Sequence, residues 1–116
     1  MKIFKYIKGA SNKIIAHKVF TAESFLQRFF GLIFKNPLKN GEVLLIRNCT
    51  GIHTIGMRYS IDAVFIDGSG KVISAIKDIP PWRFTPYIRG ARSVIEFRSG
   101  LLNNKTLNVG DRIIFV

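Results

Sequence analysis

Ile61-Asp62-Ala63-Val64-Phe65-Ile66-Asp67-Gly68-Ser69-Gly70-Lys71-Val72-Ile73-Ser74-Ala75-Ile76-Lys77 decides the fold class. Its first six residues are apolar on both faces except at Asp62, and three of them are β-branched. A six-residue apolar run bounded by turn residues reads as a buried strand. Asp67-Gly68-Ser69-Gly70 then reads as a strong hairpin signal. Lys71–Lys77 follows as the partner strand.

Working outward, more short strands appear on either side. Glu42–Arg47 follows the turn pair Asn40-Gly41, and Ile52–Arg58 reads as a further strand. Arg92–Arg98 ends at Ser99-Gly100, and Val109-Gly110-Asp111-Arg112 turns into a last strand, Ile113–Val116. Upstream, residues 13–20 alternate weakly around Ile14, Ile15, Val19 and Phe20 and read as one strand. Thr21-Ala22-Glu23-Ser24 resembles a helix start, with hydroxyls to cap free N–H groups and an acid on the positive end of the dipole. Phe25, Phe29, Leu32 and Ile33 recur at i, i+4, i+7 and i+8, the stripe of a helix laid on a core. The expectation is a mainly β domain of α+β type. Its small curled antiparallel or mixed sheet approaches a barrel, with one amphipathic helix near 21–34.

The chain has 116 residues, enough for a single core without staples. Residues 1–12 read as a short N-terminal extension and 13–116 as one globular domain. No window holds the roughly 20 apolar residues of a spanning helix. Lys8, Lys13 and Lys18 interrupt every candidate signal segment, so a cytoplasmic protein is expected. The lone Cys49 excludes an internal disulfide framework. Formal charge is +11, with ten Lys/Arg and two acids in residues 1–61 and eight against five in 62–116. Such a field attracts anions. The lysines are nevertheless scattered, as on an ordinary solvated surface.

Reactive side chains concentrate between Asn48 and Asp67. Asp62 interrupts an apolar strand, so its carboxylate is exposed at the strand mouth, paired, or costly to bury, and the bland reading is a salt-bridged aspartate closing one end of the barrel. His53 titrates near neutrality and can serve as base, acid or ligand. His17 is the only other imidazole, so the three or four ligands of a zinc site are not assembled, and no metal or cofactor is expected. Nothing marks Cys49 as an activated nucleophile. Walker, Gly-x-Gly-x-x-Gly and Gly-x-Ser-x-Gly patterns do not occur. Separately, Ile79–Ala91 is a loop with three of the four prolines, in which Trp82, Phe84 and Tyr87 alternate with Arg83 and Arg89. Aromatic surface mixed with cations suits single-stranded nucleic acid, whereas the bland reading has these rings covering one end of the barrel.

The residues Cys49, Gly51-Ile52-His53-Thr54, Met57-Arg58, Ile61-Asp62, Phe65-Ile66-Asp67 and Gly70-Lys71-Val72 resemble the signature of uncharacterised protein family 0127, also called domain of unknown function 192. The resemblance continues through Gly31-Leu32-Ile33-Phe34, Arg89-Gly90-Ala91, Val94-Ile95-Glu96, Gly100, and Val109-Gly110-Asp111 with Ile113. It covers nearly everything after Thr21. Ile33 stands where the family's helix usually has Met, an apolar exchange that keeps the packing. Many relatives carry a signal peptide that is not found here. The resemblance implies a β-rich domain with one helix, and it supplies no established activity, substrate or catalytic residue.

Three functions compete. The first is a binding or interaction module with a polar pocket formed by His53, Thr54, Met57, Arg58 and Asp62, with Arg89 at its rim. Such a pocket would receive an anionic small molecule or a protein partner. The second is a basic nucleic-acid-binding domain using Trp82–Arg92. The third is a hydrolase or lyase in which His53 is the base and Asp62 orients it. The order of preference is as given, leaning away from an enzyme.

Overall fold

A computed structural model of the protein describes residues 2–4, 7–8, 14–22, 38–100 and 107–115. They form nine strands: β1 (Lys2–Phe4), β2 (Ile7–Lys8), β3 (Ile14–Ala16), β4 (Lys18–Ala22), β5 (Glu42–Arg47), β6 (Ile61–Ile66), β7 (Val72–Ile79), β8 (Ser93–Arg98) and β9 (Ile114–Phe115). Six make one mixed sheet in the order β1-β4-β5-β8-β6-β7, and three make a small sheet in the order β3-β2-β9. Only β4 and β5 run parallel; every other pairing is antiparallel. Among the described residues the large sheet does not close into a barrel, and β1 and β7 are its edges. Residues expected in a short N-terminal extension contribute β1 and β2, one to each sheet.

Apolar runs become strands here because both faces of the large sheet are covered. Residues of β6 are buried throughout, which explains an unbroken apolar run where a half-exposed strand would alternate. On one face lie Leu44, Ile46, Ile61, Ala63, Phe65 and Val94, topped by Cys49, Ile52 and Met57. On the other lie Val43, Leu45, Val64, Ile66, Ile95 and Phe97, packed against Ala16, Ile113 and Phe115 from around the small sheet. Strand pairing is in register across β8, with Val64 opposite Ile95 and Phe65 opposite Val94.

The hairpin at 67–70 forms as expected. Asp67 Oδ1 accepts hydrogen bonds from Ser69 N at 2.8 Å, Ser69 Oγ at 2.7 Å and Lys71 N at 3.0 Å. These donors, with Arg112 nearby, hold the Asp67 carboxyl below the ordinary aspartate range. Gly70 has φ +87°, and a Cβ there would lie 2.6 Å from the Ile113 carbonyl oxygen.

Two local expectations differ from the structure. The single strand expected over 13–20 is, in the described residues, two strands, β3 and β4, interrupted at His17, whose N–H is drawn off to the Gly41 carbonyl at 2.9 Å. Ile52–Arg58 is not a strand: it turns at Ile55-Gly56, with Gly56 at φ +83°, and only His53 makes a bridge, to Phe84. Alternating apolar residues suggested a strand there, yet its backbone groups pair with a loop. Thr21 and Ala22 end β4, and the rest of the expected helix, 23–34, lies outside the described residues. No helix among the described residues is long and apolar enough to cross a membrane.

Candidate binding surface at His53 and the aromatic loop

Segments 50–54 and 80–88 are zipped together by backbone hydrogen bonds. Thr54 N donates to Arg83 O at 2.8 Å, Trp82 N to Thr54 O at 3.0 Å, Thr85 N to Ile52 O at 2.9 Å and Ile88 N to Thr50 O at 2.8 Å. Two hydroxyls reinforce the pairing. The fully buried Thr54 donates through Oγ1 to Pro80 O at 2.6 Å and accepts from Arg83 N at 2.9 Å. Thr85 Oγ1 accepts from Ile52 N at 2.9 Å. Prolines at 80, 81 and 86 cannot donate to a ladder, and threonines supply the missing connections.

This clamp fixes the loop backbone but leaves its aromatics outside. Trp82, Phe84 and Tyr87 are 64%, 73% and 72% exposed, so they do not cover the end of the sheet. Trp82 also holds φ +65°, a left-handed conformation that bulky residues rarely adopt. Half-buried His53 faces Phe84 across the zipper, with ring centroids 5.8 Å apart and planes tilted by 56°. Its Nδ1 accepts from Ile55 N at 3.3 Å. His53, Gly51, Phe84, Thr85 and Tyr87 line an open cleft of about 460 Å³. That volume lies within the range of small-molecule sites.

The structure separates the residues grouped by sequence. Only His53 of that group lines the cleft among the described residues. Thr54 is a buried clamp, Met57 belongs to the core, and Arg58 and Arg89 are exposed. Asp62 is 1% exposed and sits opposite Phe97 of β8. Its side chain therefore leaves the sheet on the face of Val64 and Phe97, whereas Ile52 and Met57 of the His53 loop pack on the other face. Asp62 Oδ1 accepts from Asp78 N at 2.8 Å and Oδ2 from Gly100 N at 3.2 Å. Ser99 Oγ in turn donates to Asp78 Oδ1, which ties the ends of β6, β7 and β8 into one polar knot. A carboxylate anchored by backbone N–H groups in this way is a scaffold element.

Sequence spacing gave no sign that His53 and Phe84 meet, since 31 positions separate them and neither lies in a regular strand. The usable signal was the Pro-rich composition of 80–86, which calls for an outside partner for its backbone.

Comparisons with known proteins agree with this architecture. Two solved structures share the fold. One is a Sinorhizobium meliloti protein proposed to be a transcription regulator, with TM-score 0.75, 18% identity and coverage of 99% of this chain and 98% of that one. The other is a Novosphingobium aromaticivorans protein of unknown function, with TM-score 0.76, 16% identity and coverage of 94% and 81%. A UPF0127 protein of Pyrococcus furiosus is 32% identical over 104 residues, covering 87% of this chain and 89% of that protein. A UPF0127 protein of Thermococcus sibiricus is 31% identical over 111 residues, covering 92% and 71%. Residues 6–115 match the DUF192 family, described as uncharacterized ACR, and the chain belongs to that family, which is also UPF0127.

Proposed function

We infer that the protein is a binding module whose contact surface is the zippered pair 50–54 and 80–88, with the occupant seated against His53, Phe84 and Tyr87. One observation carries the reading: three large aromatic side chains stand exposed on a backbone clamped by buried Thr54. Exposed aromatics are unfavourable to hydrate and are concentrated at recognition sites. Strain such as the left-handed Trp82 persists where the surroundings enforce it and is concentrated at functional sites. Arg83 and Arg89 within the loop, Arg58 just beyond the first segment and a charge of +11 favour an anionic small molecule or an acidic protein face. Asp62 serves this site indirectly, by holding strand ends. The cytoplasmic assignment belongs to the same proposal and is supported by the single, buried Cys49.

A second reading uses the same face for single-stranded nucleic acid, favoured by the exposed Trp82-Arg83-Phe84 sequence. Trp82 is the only tryptophan, so its fluorescence reports on this surface directly. Acidic peptides, nucleotides and an oligothymidylate are to be titrated at about 50 mM and about 300 mM salt, with backbone amides followed by NMR in parallel. The proposal expects Trp82 quenching, amide shifts at 50–54 and 82–88, and loss of both in Phe84→Ser. A steep fall in affinity with salt, seen only for the oligonucleotide, would select the second reading. Ligands that bind while leaving those amides unmoved would refute both.

A further inference from the structure

A second cleft lies on the other face of the large sheet, and we propose that it binds the phosphate group of a small phosphate monoester with an apolar body. It occupies about 460 Å³ where β5 and β6 end and β8 begins. Its floor is Leu45, Ile66, Ile113 and Phe115, side chains of the core that fills the space between the two sheets. Polar groups surround that floor: Arg47 at the end of β5 and Asn48 just after it, Arg92 just before β8 and Ser93 at its start, and the 67–70 turn.

Four structural features hold the cationic rim in place. Arg47 is directly opposite Ser93 in the β5–β8 ladder, so both side chains leave the same face of the sheet. Asn48 takes φ +54°, which turns the chain sharply away after the strand. The Arg92 backbone is pinned at both groups: its N–H donates to Ile66 O at 2.8 Å, and its carbonyl accepts from Cys49 N at 3.1 Å. The Arg92 side-chain stem runs over Gly68, where an added Cβ would lie 3.8 Å from Arg92 Cγ.

Arg47, Asn48, Arg92 and Ser93 border the cleft at two neighbouring strand ends, beside the turn that ends β6. A phosphate has three terminal oxygens to accept from several directions, and forked guanidinium donors match its geometry better than an ammonium would. Asp67 also borders the cleft and, held ionised by its Ser69 and Lys71 bonds, contributes one negative charge against the two arginines. Arg112, whose Nη2 approaches Ser69 Oγ at 3.4 Å, adds a third cation behind the turn. Positive charge therefore outweighs negative at the mouth. The apolar floor selects a ligand with a hydrophobic body over a bare ion. This site is independent of the His53 surface, because it lies on the opposite face of the sheet.

The test is an amide-detected NMR titration of the intact chain with 1-naphthyl phosphate, inorganic phosphate, 1-naphthoate and 1-naphthol. Naphthyl phosphate is expected to bind best and to shift Gly68, Ser69, Gly70 and Ser93. Arg92→Gln should weaken it about tenfold, the scale of a lost charge-assisted hydrogen bond. Arg98→Gln, at an exposed position at the far end of β8, should leave it unchanged. Equal weakening by both variants would reduce the effect to general charge and overturn the proposal. So would shifts confined to Thr50–His53 and Phe84–Tyr87, tighter binding of naphthoate or naphthol, or inorganic phosphate binding as tightly as its naphthyl ester.

Discussion

Thr54→Val tests whether the aromatic loop is displayed by the buried hydroxyl. Valine keeps the shape and the second branch, so packing changes little. What is lost is the Oγ1 donation to Pro80 O at 2.6 Å and the acceptance from Arg83 N at 2.9 Å. Each bond contributes about 1 kcal/mol net, and a buried group left without its partner costs about 1–3 kcal/mol. Pro80 O and Arg83 N are close to the surface, so water recovers part of that cost. The expected loss is about 2–3 kcal/mol. Thr54→Ser keeps both bonds and removes one methyl from a fully buried site, for about 1 kcal/mol. Urea unfolding followed by far-ultraviolet circular dichroism measures both variants. Hydrogen exchange should show the Val variant opening first at Trp82, Arg83 and Thr85, because their amides sit in the clamp. If the Val variant matches the parent within 0.5 kcal/mol, or if the Ser variant is the less stable of the two, the hydroxyl does not hold the loop.

Three other perturbations probe the scaffold. Asp62→Ala orphans the N–H groups of Asp78 and Gly100 and should lower stability by about 3–5 kcal/mol, with Asp62→Asn in between; a urea midpoint shift worth less than about 1 kcal/mol for the Ala variant would remove the carboxylate from its anchoring role. Gly70→Ala places a Cβ 2.6 Å from the Ile113 carbonyl oxygen, whereas Gly100→Ala, also at positive φ, meets nothing within 4 Å among the described residues. The first should therefore lower the melting temperature clearly more than the second, and equal losses would mean that backbone strain alone is being measured. The Asp67 carboxyl, held low by its Ser69 and Lys71 bonds, is expected to titrate below the ordinary aspartate value in a carbon-13 NMR experiment. Since the folded-state value is the lower one, its stabilising effect is present above the unfolded value and is lost as pH falls through the folded one. Asp67→Asn should flatten that acid limb, and an unchanged limb would contradict the assignment.

Strand positions were legible because their causes are local. Ile61–Ile66 is β-branched and apolar and is closed by a turn whose carboxylate binds its own backbone, so the strand emerges with the bounds read from sequence. Glu42–Arg47 also keeps the bounds read from sequence, while the strand read over Arg92–Arg98 begins one residue later, at Ser93. Ile52–Arg58 misled because its apolar residues alternate as a strand's do, while Gly56 and the 80–88 loop decide where its backbone bonds go. Glu96, read only as part of a strand and a family signature, turned out 2% exposed in the middle of the large sheet, between Leu44 and Ala63.

By itself, then, the sequence determined a mainly β domain of the DUF192 family, its hairpin at 67–70 and the concentration of reactive types near His53. Tertiary structure decided which of those types meet. Asp62 lies nine positions from His53 but is turned to the opposite face of the sheet, because β6 is buried on both sides and alternation sends successive side chains apart. Phe84 lies 31 positions away and comes to face His53, because the Pro-rich loop takes its hydrogen bonds from Ile52 and Thr54. Pairing over such separations depends on which backbone groups remain unsatisfied after the sheet has formed, and that is a property of the whole fold.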